Sequence, residues 1–282
     1  MTTIKNFGII GGDKRQLYCG KSIADDGYGV YVCGFEKCDE TLGLEQSDIQ
    51  TVCEMCDAFI MPLPATRDGV TLNTPFSENK IFAEKDFFVY SSKKPVFAGM
   101  KNKLLYQSDC IYDYAAREEF AVANAVPTSE GAIVCAMREY EGTINGSHCL
   151  VTGYGRIGRV LSQMLRGLGA DVTVSARQQK DLAYIRSFGM KAVRTSELPN
   201  GFDIIFNTVP DRILDAQTLA KTAGGSLVID LASPPGGVDL VSAERLGIKA
   251  VQALSLPGRV APKTAGIIIK NAVYNIIKEE NL

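Results

Sequence analysis

The 282 residues include a single histidine, His148, and no apolar run that reaches the roughly 18 residues expected of a membrane span. The longest tempting stretch, 265–269, is a short buried segment with Lys263 before it and Lys270 behind. One CxxC occurs, Cys53-Glu54-Met55-Cys56; with neither a second pair nor a nearby histidine to complete a zinc site, it reads as coincidence, and no metal is expected. Charge imbalance is missing too. A formal net charge of -2 gives no electrostatic reason to expect nucleic acid or an anionic membrane as partner. The opening MTTIKNFGIIGG has neither the basic region nor the long apolar stretch of a secretory signal, and the eight scattered cysteines fit reduced thiols, so a cytoplasmic chain is expected.

What is present is a globular composition, 46% hydrophobic and 22% charged, which argues against disorder in a chain long enough for two domains. The second half alternates strands and helices. Strands are predicted at 148–152, 172–175, 192–193, 203–206, 226–230 and 249–253, with helices at 156–168, 180–188, 215–221 and 238–246 between them. Short apolar strands with helical crossovers mean a buried parallel sheet with right-handed connections, a doubly wound fold.

The first half follows the same grammar less regularly. Strand candidates are 7–10, 30–32, 58–61, 87–90, 96–98 and 111–113, with a helix over 14–26 and a long functional loop over 62–79. The expectation is two Rossmann-like α/β domains: a smaller, flavodoxin-like one at 1–126 that takes back the terminal helix 263–282, and a nicotinamide-dinucleotide domain at 127–262. Helical pattern runs from 114 to 140, and Pro127 biases Val126 away from the helix, so two helices are predicted to meet there, with Thr128, Ser129 and Glu130 opening the second.

Gly153-Tyr154-Gly155-Arg156-Ile157-Gly158 follows a predicted strand and opens a predicted helix, the context a GxGxxG needs before it signifies a dinucleotide. The first glycine permits the turn, the second lets the backbone approach a pyrophosphate, and the third allows close helix–strand packing. At the end of the next strand, where NAD sites place an acid, stand Ser175-Ala176-Arg177, suited to a 2′-phosphate; NADP is favoured, with NAD the alternative. Asn207-Thr208-Val209-Pro210, after the fourth strand, suits the nicotinamide ribose.

Four further stretches exceed plain connectors: Gly11-Gly12-Asp13-Lys14-Arg15-Gln16, Pro127-Thr128-Ser129-Glu130-Gly131, Ser233-Pro234-Pro235-Gly236-Gly237, and the run from Leu256-Pro257-Gly258 to Lys263-Thr264-Ala265-Gly266. As an ordered set covering essentially the whole chain, they resemble the A subunit of dipicolinate synthase, which makes pyridine-2,6-dicarboxylate in spore-forming bacteria. The resemblance implies an NAD(P)-dependent oxidation of a dihydrodipicolinate-type ring derived from the condensation product of pyruvate and aspartate semialdehyde. It also implies the mother-cell cytosol and a second, flavoprotein-like subunit; a homo-oligomer is expected as well.

A dicarboxylate needs cations, hydroxyls and helix N-termini. Arg15 and Gln16 at the first helix, Thr128 and Ser129 at the expected start of another, and Lys263 and Thr264 at the last supply these and are expected to converge opposite Asn207. Each has a plainer reading: Arg15 as a solvated helix residue, Thr128 as an N-cap, Lys263 as surface. Arg67 is a further candidate carboxylate ligand. Ring oxidation also needs a base. His148, at the start of a strand, reads as structural, so Glu130 is the candidate, with Asp230 behind it and Lys263 beside it as a catalytic charge. Two other readings stay open, a 2-hydroxy-acid or alanine-type dehydrogenase and a non-catalytic NADP-sensing subunit; the missing catalytic histidine counts against the hydroxy-acid type.

Overall fold

The computed structural model describes residues 4–91, 93–105, 108–221 and 225–282. The chain divides into two compact units, Met1–Asn124 with Ala261–Leu282, and Ala125–Val260. The first opens with β1 (Asn6–Ile10), α1 (Lys14–Asp25), β2 (Gly29–Cys33), β3 (Glu45–Gln46), α2 (Ile49–Met55) and β4 (Ala58–Ile60). A π-helical turn at Ala83–Phe88 runs into α3 (Val89–Ser91), followed by β5 (Val96–Ala98), β6 (Ile111–Asp113) and the long helix α4 (Glu118–Glu139), within which the second unit begins. That unit comprises β7 (His148–Thr152), α5 (Arg156–Gly167), β8 (Asp171–Ala176), α6 (Gln179–Ser187), β9 (Lys191–Arg194), β10 (Ile204–Asn207), α7 (Ala216–Leu219), β11 (Leu227–Asp230), α8 (Leu240–Arg245), β12 (Lys249–Gln252) and α9 (Leu256–Val260). Helix α10 (Pro262–Glu280) returns to the first.

Each unit holds a six-stranded parallel sheet, ordered β3-β2-β1-β4-β5-β6 and β12-β11-β10-β7-β8-β9. Counted within its own unit, each follows the 3-2-1-4-5-6 order of a Rossmann sheet. The two Rossmann-like α/β domains are therefore present. The flavodoxin-like label fits the layering of the first but not its strand order, and the first unit is slightly the longer rather than the smaller.

Both faces of each sheet are covered, as continuous apolar strands require. In β1, Phe7 and Ile9 pack with Leu17 and Ile23 of α1 and Ile269, Val273 and Ile276 of α10, while Ile10 faces Val52, Phe59 and Phe87. Helix α10 lies close on α1: a Cβ at Gly266 would come within 2.5 Å of the Arg15 carbonyl oxygen and 2.7 Å of the Cys19 nitrogen. In β7, Cys149 and Val151 pack with Leu161 and Leu165 of α5 and Ala132 and Ala136 of α4; Leu150 packs on the other face with Ile205, Leu219 and Val228.

Three local expectations fail. Residues 87–90 are helical, because burial there is one-sided: Phe87 is fully buried edge-on against Phe59 at 5.1 Å, whereas Val89 is 64% exposed. β3 and α2 are additions to the expected elements; Asp48 starts α2 by accepting from the Thr51 backbone N–H at 3.0 Å. And α4 does not break at Pro127. Ala125, Pro127, Thr128, Ser129, Ala132 and Ala136 are all buried, so packing overrides the local bias at Val126. By length and composition α4 is the one helix among the described residues able to cross a bilayer, but half of that window is buried in the fold.

Candidate functional site

The glycine loop joins β7 to α5. Gly153 turns at a φ of 92° and donates its N–H to the Ser175 carbonyl at 2.9 Å, tying the loop to β8. A Cβ at Gly158 would collide with the Gly153 carbonyl, so only glycine lets α5 start this close to β7. Gly155 differs: a Cβ there meets nothing within 4 Å. It is also the N-cap of α5 and brings no side-chain hydrogen bond to the helix start. The loop thus presents an open face backed by first-turn N–H groups and the positive end of a helix dipole, a fit for a pyrophosphate. Arg156 is exposed and Ile157 half-buried in that first turn. The Tyr154 ring turns into the core under the Arg159 guanidinium, 5.1 Å from its centroid, and burial pushes its phenol up from the ordinary value. Only the backbone of Tyr154 remains for a ligand.

The carboxyl end of β10 closes the other side of the loop. A Cβ at Gly153 would lie 2.7 Å from both Thr208 Oγ1 and Val209 Cγ2, and the Thr208 hydroxyl donates to the Thr152 carbonyl at 2.7 Å. Asn207, fully buried, is spent internally. Its Oδ1 accepts from the Thr152 hydroxyl at 2.6 Å and from the Val209 N–H at 3.2 Å; its Nδ2 donates to the Val209 carbonyl at 2.9 Å and to Asp230 Oδ1 at 2.8 Å. Its side chain shapes the 207–210 turn, and Pro210 stands exposed beyond it.

At the end of β8 the two specificity candidates part. Ser175 is fully buried, with its Oγ 3.5 Å from the Thr195 hydroxyl, while Arg177 is solvent-exposed with Nη1 3.6 Å from Asp211 Oδ2. An exposed pair of that length holds little energy, so the guanidinium is available to an anion.

In the first unit Arg15 is no solvated residue: it is 7% exposed, with Nε and Nη2 on the Asp13 carboxylate and Nη2 also on the Leu63 carbonyl at 2.9 Å. Asp13 caps α1 through the Arg15 N–H, and Gln16 Oε1 completes a capping box by accepting from the Asp13 N–H at 3.1 Å. The neighbouring Gly11-Gly12 turn, where a Rossmann unit would hold phosphate, is filled by the chain itself. A Cβ at Gly11 would strike the Thr74 methyl, and the Gly12 N–H donates to the Asn73 carbonyl at 3.0 Å. Lys263 and Thr264 are exposed in the first turn of α10, whose Gly266 abuts Arg15, so two of the three expected helix starts adjoin. Arg67 is exposed on the loop over 62–79.

The third start does not exist. Thr128, Ser129 and Glu130 lie inside α4 and have no free helix-end N–H groups to offer; the Ser129 hydroxyl donates to the Ala125 carbonyl at 2.8 Å, and Glu130 is exposed. His148 stands at the opposite end of β7 from the glycine loop, 3.1 Å from Asp171. Cys53 and Cys56 are both buried thiols that burial pushes up to about 12, and no metal-ligating cluster occurs among the described residues.

Residues 6–110 match the family of dipicolinate synthase A-subunit N-terminal domains, and residues 120–235 match the D-isomer specific 2-hydroxyacid dehydrogenase, NAD binding domain family. The chain is 33% identical over 293 residues to the dipicolinate synthase A-subunit of Bacillus subtilis (strain 168), covering 99% of this chain and 98% of the relative. It belongs to the dipicolinate synthase A-subunit family. The solved A-subunit structure from Bacillus subtilis superposes with a TM-score of 0.85 at 32% identity, covering 100% of this chain and 98% of that one. Its counterpart from Bacillus halodurans gives 0.84 at 32% identity, with 97% of each chain covered.

Family membership and the NAD-binding match make the chain an oxidoreductase-type subunit with a nicotinamide-dinucleotide domain. Three local features, two in the second unit and one in the first, lie outside the residues the sequence assigns to such roles. Thr152 anchors Asn207, the Asp230 carboxylate fixes the loop after β11, and Thr74 plugs the Gly11 turn. For Asp230 a signal is available: it heads the stretch DLASPPGG, whose second half is too unusual for a plain connector.

Proposed function

We propose that this protein oxidises a dihydrodipicolinate-type ring to pyridine-2,6-dicarboxylate with NADP+. The reading is carried by the open, uncapped start of α5 at Gly155 in a chain that matches a dipicolinate synthase A-subunit over 99% of its length. The bound nicotinamide supplies the hydride acceptor. The α5 N–H groups and the backbone at Gly155 hold the pyrophosphate, and Arg177 takes the 2′-phosphate. One ring carbon gives up a hydride and a neighbouring ring atom a proton, two electrons in all, leaving NADPH, a proton and the aromatic diacid.

Glu130 is the proposed base, since its carboxylate is exposed and not tied into the helix ends. Lys263 and Thr264, with Arg15 behind them, are proposed for the substrate carboxylates, and the Thr128 hydroxyl of the second unit is proposed as a further ligand. Ser129 drops out as a direct ligand, its hydroxyl being bonded within α4. Asp230 drops out as a base, because its oxygens are filled by three N–H donors. Arg15 acts chiefly by holding Leu63 and the loop that follows, for Asp13 already balances its charge. The proposal extends to a homo-oligomeric state, the mother-cell cytosol and a second, flavoprotein-like subunit.

The test incubates the purified chain, with and without that second subunit, with fresh pyruvate–aspartate semialdehyde condensation product and either dinucleotide. Pyridine absorbance rising with NADP+ supports the reading. No pyridine in any combination removes it, and turnover with NAD+ alone removes the role given to Arg177.

A further inference from the structure

Asn207 and Asp230 are the last residues of β10 and β11 and face each other in register. Asp230 is 1% exposed. Its Oδ1 accepts from Asn207 Nδ2 at 2.8 Å and from the Ala232 N–H at 3.1 Å, and its Oδ2 accepts from the Gly237 N–H at 3.1 Å. A Cβ at Gly236 would lie 2.6 Å from Oδ2, and one at Gly237 would strike both Asn207 Nδ2 and the Val209 carbonyl, so the Pro-Pro-Gly-Gly loop is wrapped tightly round this carboxylate. All three groups bonded to Asp230 are uncharged. Buried carboxylates ordinarily have a cation for partner, since an unpaired charge away from water is costly. Holding two strand ends and a loop together would need only an amide.

The position of this charge is informative. In a sheet of 3-2-1-4-5-6 order the pyrophosphate crosses at the first strand–helix turn, here Gly153–Gly158. The half of the sheet with β8 takes the adenosine side, which leaves the carboxyl ends of β10 and β11 to the nicotinamide side. Thr208 and Val209, which follow Asn207, already touch the glycine loop. The nicotinamide ring carries a full positive charge when oxidised and none when reduced. We infer that Asp230 is the counter-charge for the oxidised ring, held by Asn207 and Gly237, and that it sets which redox form of the cofactor the protein prefers. This rests on the nicotinamide-cofactor reading alone and not on the substrate.

The measurement is a fluorescence titration of the full chain with NADP+, NADPH and 2′-phospho-ADP-ribose, which lacks the ring, with NAD+ and NADH run in parallel. The wild type binds the oxidised dinucleotide more tightly than the reduced one. Asp230→Asn weakens the oxidised form at least about tenfold, the lower end for a unit-charge pair at an effective dielectric of about 20, and leaves the reduced form and the ring-less fragment unchanged. Asp230→Glu keeps the charge and keeps the ratio. Oxidised, reduced and ring-less ligands weakening in step, or an unchanged ratio, overturn the inference by making Asp230 a packing residue. Should Asp230→Asn not fold, equal or reversed preference in the wild type overturns it by itself. If no dinucleotide binds in either form, the cofactor reading falls and this inference with it, an outcome distinct from an unchanged ratio.

Discussion

Asn207 Nδ2 lies 2.8 Å from Asp230 Oδ1, and this bond between two buried side chains joins the ends of β10 and β11 where the cofactor domain opens. Removing the amide leaves a buried carboxylate short of a donor. Asn207→Leu is expected to cost about 3 kcal/mol in urea unfolding, the range for breaking a buried charge-assisted interaction from one side. A loss under about 1 kcal/mol would mean that the two backbone donors suffice.

Gly155 and Gly158 separate two uses of glycine in one loop. Gly155 has a φ of -79° and open space round its missing Cβ, whereas a Cβ at Gly158 would meet the Gly153 carbonyl. Gly155→Ala should fold with an unchanged midpoint but bind dinucleotide at least about tenfold more weakly, because the methyl occupies the pyrophosphate's approach. Gly158→Ala should lose both stability and binding. Parallel thermal melts and cofactor titrations distinguish the two.

Arg177 carries the NADP assignment. With Ser175 buried, no other residue that the sequence points to at the end of β8 can reach a 2′-phosphate. Arg177→Ala is expected to weaken NADP+ by about tenfold or more, the loss of a charge-assisted contact, while NAD+ binding stays level. Equal loss for both would place Arg177 elsewhere on the cofactor.

The terminal helix should loosen in acid. Lys270 Nζ donates to Asp26 Oδ2 at 2.8 Å and the Tyr274 hydroxyl donates to the same atom at 2.9 Å, and these bonds hold the Asp26 carboxyl below its ordinary value of 3.8. A carboxyl whose pKa is lowered by folding stabilises the folded state above its unfolded value, and the contribution is lost as pH falls through the folded value. The difference in melting temperature between wild type and Asp26→Asn should therefore be full at neutral pH and fade below about pH 4. A difference that grows on acidification would contradict it.

Much of this is legible in the residues. The glycine loop and the alternation of the second half follow from periodicity and turn chemistry, which act locally, and the apolar side of α10 announces that this helix must dock. What escapes depends on long-range packing. Pro127 signals a break that burial of Ala125, Ser129 and Ala132 overrides, so the helix start expected at Thr128 is the middle of α4. Phe87-Phe88-Val89-Tyr90 has strand composition, yet only one of the four is buried. Arg15 reads as free because nothing near it in sequence announces the Leu63 carbonyl, 48 residues on. Glycine at position 11 gives no hint that Thr74 fills the turn.

One reaction tests the account most directly: the wild-type chain, the proposed flavoprotein-like second subunit, fresh condensation product and NADP+ in a single cuvette, with NADPH and pyridine-2,6-dicarboxylate both quantified. Equal amounts of the two, rising together and both abolished by Gly158→Ala, are the predicted result. Pyridine dicarboxylate formed without NADPH, or formed undiminished by the Gly158 variant, would contradict it.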